Sequence, residues 1–298
     1  MDKMKELPQP PKVHNKIKII LSLPRLAFTD NAASVEKVSR ILGIRVSRYT
    51  GAFWHYGVEE LLEVAKKEKY KYALCIDYDT MFTEWHVIDL YELMEQHKGI
   101  SALFPIQNKR GGGAPMLGSK KNEVISMDPQ TGKKVTKVVI QPEELTGDIF
   151  ECDSGHFGLT MIRLDDMKAM DKPWLDCKPG PGGSWSEGQI DADLYFWKNM
   201  KKNGLKVAMA HHVYIGHLQL MCTVAKPAAQ GWQAHHVCSH DMITGQVPLW
   251  YVPKSFGKYT EEGQQLWKKL RKEQLENEQS KAEHTEKDQG RTSKILTP

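Results

Sequence analysis

Apolar and polar positions follow two alternating rhythms from residue 16 to about residue 105. "KIKIILSLPR", Lys16 to Arg25, is a short apolar run that predicts a buried strand closed by a Pro-Arg turn. "DNAASVEKVSRIL" then spaces its apolar residues at three and four, which predicts a helix with Asp30 or Asn31 near its cap. "IRVSRYT" predicts a second strand, and "YGVEELLEVAKKEKY" predicts an amphipathic helix that feeds the stretch "KYALCIDYDTMF". There Tyr72 to Ile76 form a third buried strand, with Asp77 and Asp79 at its C-terminal edge. Strand and helix in alternation predict a parallel sheet with crossover helices, an α/β fold. Ligands of such sheets bind beyond the C-terminal strand ends, which is where this acidic pair falls.

After "VIDLYELMEQHKG" and the strand "ISALFPI" the texture changes. "QNKRGGGAPMLGSKKNEVISMDPQTGKKVTKVVI" is rich in Gly, Lys and turn signals, and predicts hairpins or a mobile loop over the site. From "FECDSGHFGLTMIRLDDMKAM" the strand-then-helix texture returns. "DADLYFWKNMKKNGLKVAMAHHVYIGHLQ" predicts a helix ended by Asn203-Gly204, a strand and a final Gly-His turn. These signals group residues 1–253 as one domain and leave 254–298 as a charged extension, helical or partly disordered.

Composition narrows the class without naming it. A chain of 298 residues supports one large α/β domain, and its formal charge of +4 permits nucleic acid or phosphate-bearing partners without requiring them. Five cysteines, odd in number and without a CxxC pair, favour reduced thiols and a cytoplasmic location. No segment reads as a signal peptide or a membrane span, so the expectation is a protein with no integral membrane segment.

The chemistry begins with Asp77 and Asp79. In an extended chain residues two apart point the same way, so their charges repel and each raises the other's proton affinity. A cation between them removes that penalty; a solvated turn after a strand is the plainer alternative. A second D-x-D, Asp191 and Asp193, opens the late helix, where carboxylates also suit the free N–H groups. His211, His212 and the run from His235 to His240 lack the paired spacing of a zinc site.

A buried strand ending in D-x-D, followed by a Gly-rich segment with "LTMIR", an acidic helix start and a late "IGH", resembles the GT-A fold glycosyltransferases over Lys16 to Leu218. The resemblance implies a Rossmann-like mixed sheet flanked by helices and a nucleotide-sugar donor, a UDP-sugar by preference. It also implies Mn²⁺ or Mg²⁺ bound by the D-x-D motif. Asp79 and His217 would be the metal ligands, and Asp77 would touch the metal, a metal-bound water or the ribose. Pro24 and Arg25 of "LPR", with Lys109 and Arg110 of "PIQNKRGGG", would meet the nucleotide. Asp153, Gly155 and His156 of "DSGHFGLTMIR" would line the sugar pocket, where Gly155 and Gly158 allow close approach. For the base that activates the acceptor hydroxyl, Asp193 is the first candidate, with Asp191 and Glu187 behind it.

Three other readings stay open. "LCIDYDTMF" also resembles the start of the haloacid-dehalogenase phosphatases, with Asp77 as nucleophile. A non-catalytic module that only binds a nucleotide-sugar is the second. The third changes the acceptor to DNA carrying a hydroxymethylated base, as for phage-type enzymes, with Lys109, Arg110, Lys120 and Lys121 on the phosphates.

Overall fold

A computed structural model of the chain describes residues 13–24, 27–51, 53–108, 115–127, 134–184, 188–228 and 231–238, with positions 268 and 272. The chain separates into two compact units, Met1–Gln219 and Leu220–Pro298. In the first unit the strands are β1 (Ile17–Leu23), β2 (Arg45–Thr50), β3 (Tyr72–Asp77), β4 (Thr80–Met81), β5 (Ala102–Ile106), β6 (Glu123–Met127), β7 (Lys134–Val138), β8 (Phe150–Cys152), β9 (Leu159–Arg163), β10 (Val207–Tyr214) and β11 (Gly216–His217). The helices are α1 (Thr29–Leu42), α2 (Trp54–Lys67), α3 (Glu84–Gln96) and α4 (Ala192–Lys202). In the second unit β12 (Met221–Ala228) pairs antiparallel with β13 (Gly231–Cys238).

Seven strands form one sheet in the order β2-β1-β3-β9-β5-β10-β8. β2, β1 and β3 are parallel, as the alternating pattern predicts, and β10 is parallel to β5. The four strands before residue 107 that join this sheet, β1, β2, β3 and β5, run in one direction; the antiparallel members come later in the chain, β9 between β3 and β5 and β8 at the edge. The result is the mixed α/β sheet flanked by helices that the resemblance implies. β6 and β7 form a separate antiparallel pair, in keeping with the hairpins expected after β5.

Burial explains why these segments hold. Apart from Lys18, Ser22 and Asp77, β1 and β3 are apolar, in keeping with cover on both faces. On one face Ile17, Ile19 and Leu21 pack with Val35, Val38 and Leu42 of α1 and Val87, Leu90 and Met94 of α3. On the other, Ile20, Ala73 and Cys75 pack with Val58 and Leu62 of α2 and with Phe196, Trp197 and Met200 of α4. Phe157 joins that second layer and meets the rings of Phe196 and Trp197 at 5.2 Å each.

α1 begins one residue earlier than its pattern suggests. Phe28 is the cap, and Asn31 lies inside the first turn, buried, instead of capping it. α4 begins at Ala192 with Asp191 as its cap residue, but the Asp191 side chain makes no capping hydrogen bond. Gly204, expected to end this helix, takes a φ of +69°, a conformation that glycine adopts without strain.

Candidate metal and nucleotide site

The site is assembled where β3 ends. Asp77 is the last residue of β3, level with Ser22 of β1, and its N–H donates to the carbonyl of Gly158 just before β9. After Tyr78 and Asp79 the chain enters β4, which pairs antiparallel with β11. In that two-residue ribbon His217 stands opposite Thr80, and the N–H of Leu218 donates to the Asp79 carbonyl at 2.7 Å. The ribbon thus carries the Gly-His turn to the D-x-D motif.

His217 Nε2 lies 3.2 Å from Asp79 Oδ2, and both side chains are buried. The other ring nitrogen, Nδ1, lies 2.9 Å from the carbonyl of Asn108. A carbonyl only accepts, so Nδ1 carries the hydrogen. Nε2 then faces the carboxylate either as a protonated donor in an ion pair or as a lone pair that a cation between the two would share. A histidine whose second nitrogen donates to a backbone carbonyl is the usual arrangement of a metal-binding imidazole. The spacing agrees, since adjacent ligands about 2.1 Å from an octahedral cation lie about 3.0 Å apart. The residues present therefore fit a divalent metal. Among the described residues no group of three or more His, Cys, Asp or Glu side chains could by itself hold an ion.

Charge accumulates around this pair. Burial and the charges of Asp79 and Asp193 push the Asp77 carboxyl up to about 7, with His217 acting the other way. Asp79, Asp193 and His217 are thus all near enough to act on Asp77. Asp193 is half-buried, and burial followed by the charge of Asp191 raises its own proton affinity. Its Oδ1 accepts from the N–H of Leu194 at 2.7 Å. Asp191 is exposed. Pro24 follows directly on β1, beyond the level of Asp77. Arg25, Lys109, Arg110 and Glu187 lie outside the described residues.

Three residues expected in the sugar pocket do other work. His156 is buried, its Nε2 facing the Pro105 carbonyl at 2.9 Å while Nδ1 accepts from Gly158 N–H at 3.0 Å. Burial holds its pKa down at about 4, so it is a neutral brace with both nitrogens used. The room at Gly155 is filled by the Phe104 ring, and that at Gly158 by Gln107 and His156. Asp153 pairs with Lys201 near the C-terminus of α4 and accepts from Lys120 N–H. Lys201 is eight residues from Asp193, about 12 Å along the helix, so Asp153 is tethered toward the far end from the acidic group. Lys120 and Lys121 belong to the same region: Lys121 Nζ lies 4.8 Å over the Phe150 ring.

Sequence reasoning missed the supports. Gln107, buried at the end of β5, donates from Nε2 to Thr80 Oγ1 at 3.3 Å and toward the Gly216 carbonyl at 3.4 Å, bridging both strands of the ribbon. A lone glutamine closing the apolar run "ALFPI" was the available signal. Asn31 is the second support, and its helical position hid it.

No family model and no curated protein matches the chain. Solved structures that resemble it include A197 from STIV, 10% identical over 67% of this chain and 85% of that one, with a TM-score of 0.44. Another is GalNAc-T7 with UDP, GalNAc and Mn²⁺, 11% identical over 69% of this chain and 44% of that one, also with a TM-score of 0.44. At these values the likeness concerns the path of the backbone and not individual residues.

Proposed function

We propose that the protein is a metal-dependent glycosyltransferase that takes its sugar from a nucleotide-sugar, a UDP-sugar in the first instance, and delivers it to an acceptor hydroxyl. The observation that supports this is the Asp79–His217 pair at the C-terminal edge of β3, with the imidazole tautomer set by the Asn108 carbonyl. A divalent cation held there would supply positive charge to offset that of the departing diphosphate.

The chain's own residues do the rest. Asp79 and His217 would hold the cation, and Asp77, at the end of β3, would face the ribose or water on it. Asp193 takes the proton of the attacking hydroxyl. Its raised proton affinity makes it a stronger base than an ordinary aspartate. Gln107 and Asn108 keep the ribbon and the imidazole in place.

A thermal-shift panel of nucleoside diphosphates and nucleotide-sugars, with and without Mn²⁺, tests the reading. Stabilisation by one nucleotide that depends on metal and disappears in Asp79→Ala is the expected result. A panel in which no nucleotide raises the melting temperature under any metal condition would remove the glycosyltransferase reading.

A further inference from the structure

Asn31 is fully buried in α1, on the face that also buries Val35, Val38 and Leu42. Its side chain is nonetheless polar, and Nδ2 donates to two carbonyls, Asp77 O at 2.8 Å and Thr80 O at 2.7 Å. Both oxygens can only accept, so the atom between them is the amide nitrogen and the orientation of the carboxamide is fixed. Its Oδ1 is buried without a hydrogen bond among the described residues, so the carboxamide's bonding is directed at these two carbonyls.

The two carbonyls are the ends of one short turn. Asp77 closes β3, Thr80 opens β4, and between them stand only Tyr78 and Asp79. One NH₂ group therefore staples both ends of the segment that carries the Asp79 carboxylate. The staple is anchored, because α1 is tied to α3 by the Lys37–Glu84 ion pair at 3.1 Å, and α3 starts just after β4. Gln107 holds the opposite side of the same turn through Thr80 Oγ1.

We propose that Asn31 is the positioning residue of the metal site, fixing the Asp77-to-Thr80 turn so that Asp79 is presented beside His217 before a cation arrives. This rests on the metal reading above. A ligand held in advance loses less freedom on binding, and outer supports of this kind change metal affinity by about 10- to 100-fold.

The test is Mn²⁺ binding followed by electron paramagnetic resonance, with Mn²⁺ alone and with UDP, in the full chain and in Asn31→Ser and Asp79→Ala. Serine keeps one donor and cannot span both carbonyls. The expected result is an Mn²⁺ affinity about 10- to 100-fold weaker in Asn31→Ser, with the UDP-dependent thermal shift restored at raised Mn²⁺. Asp79→Ala should bind no Mn²⁺ at either concentration. A shift that raised Mn²⁺ does not restore would assign Asn31 a structural role only and overturn the proposal. Unchanged affinity in Asn31→Ser, with Asp79→Ala still dead, also overturns it and leaves the metal reading standing. A wild-type chain that binds no Mn²⁺ removes both. Should Asn31→Ser fail to fold, side-chain amide exchange in ¹⁵N-asparagine-labelled wild type decides. Slow exchange at Asn31 with and without Mg²⁺ and UDP supports the staple, and fast exchange refutes it.

Discussion

His217 Nε2 and Asp79 Oδ2, 138 positions apart in sequence, lie 3.2 Å apart in space, and the imidazole is oriented by a backbone carbonyl on its other side. An ion pair and a metal site both satisfy that distance, and they predict different things. For a metal site, Asp79→Ala and His217→Ala each abolish the Mn²⁺-dependent part of nucleotide binding and leave metal-free nucleotide binding the same in both. Isothermal titration with and without a chelator separates the parts. Full Mn²⁺ dependence in either variant would contradict the assignment.

Asp193→Asn keeps the size of the side chain and removes the base. Turnover should fall by about 10²- to 10⁴-fold, while the nucleotide-induced thermal shift stays at its wild-type value. A variant that loses nucleotide binding instead would place Asp193 on the donor side of the reaction.

The pH dependence of stability carries two opposed contributions. His156 has its folded pKa near 4, below its ordinary 6.5, so its contribution is present above 6.5 and is lost as pH falls toward 4. Asp77 has its folded pKa near 7, above its ordinary 3.8, so its contribution is present below 3.8 and is lost as pH rises through 7. In wild type the two slopes partly cancel. In chelator, Asp77→Asn should make the urea midpoint climb more steeply from pH 4 to 6.5, and His156→Gln should make it fall more steeply from pH 4 to 7. Profiles parallel to wild type in both variants would show that neither group titrates as described.

Gly158→Ala would place a methyl 2.3 Å from Gln107 Oε1 and 2.9 Å from His156 Nδ1. Both neighbours are buried supports of the site, so the crowding should cost about 1–3 kcal/mol of stability and weaken Mn²⁺ binding as well. Gly155→Ala, which meets the Phe104 ring at 2.2 Å, should cost a similar amount of stability. Denaturant midpoints and Mn²⁺ titrations on both variants check this, and a stable Gly158→Ala protein would show that Gln107 can retreat.

Arg163→Lys is the control that damages the fold away from the site. At the far end of β9, Arg163 donates to Tyr72 OH at 2.9 Å, to Met94 O at 2.8 Å and to Ile100 O at 3.3 Å. A lysine has one nitrogen and cannot reproduce that fork. Stability should fall by about 1–3 kcal/mol, with Mn²⁺ and nucleotide affinities unchanged. A loss of Mn²⁺ affinity here would mean that the site responds to any damage to the sheet.

The pattern of apolar runs located the strands that matter because those strands are buried on both faces, and burial leaves a local mark. β1, β3, β5, β9 and β10 all fall within their expected segments. The places of the acidic pair, at the end of β3, and of the late Gly-His, after β10, were also legible, since the apolar runs that precede them mark those strands. What stayed hidden depends on pairing across long distances. Nothing local in "LTMIR" says that β9 runs antiparallel between β3 and β5. Asn31 looks like a cap residue and becomes a staple only when α1 meets the β3–β4 turn. His156 and Gly155 look like pocket residues, but the Pro105 carbonyl makes His156 a brace and the Phe104 ring fills the room beside Gly155.

The β4–β11 ribbon has a thermodynamic consequence beyond chemistry. It joins Thr80 and Met81 to the strand that follows β10, so a cation held by Asp79 and His217 would close a loop between residues 138 positions apart. The entropy that such a clip removes from the unfolded chain grows with the length of the loop, if slowly. A chelator would therefore act on the whole sheet at once, and the ion would serve as a fastener for β3, β5, β9 and β10 as well as a partner for phosphate.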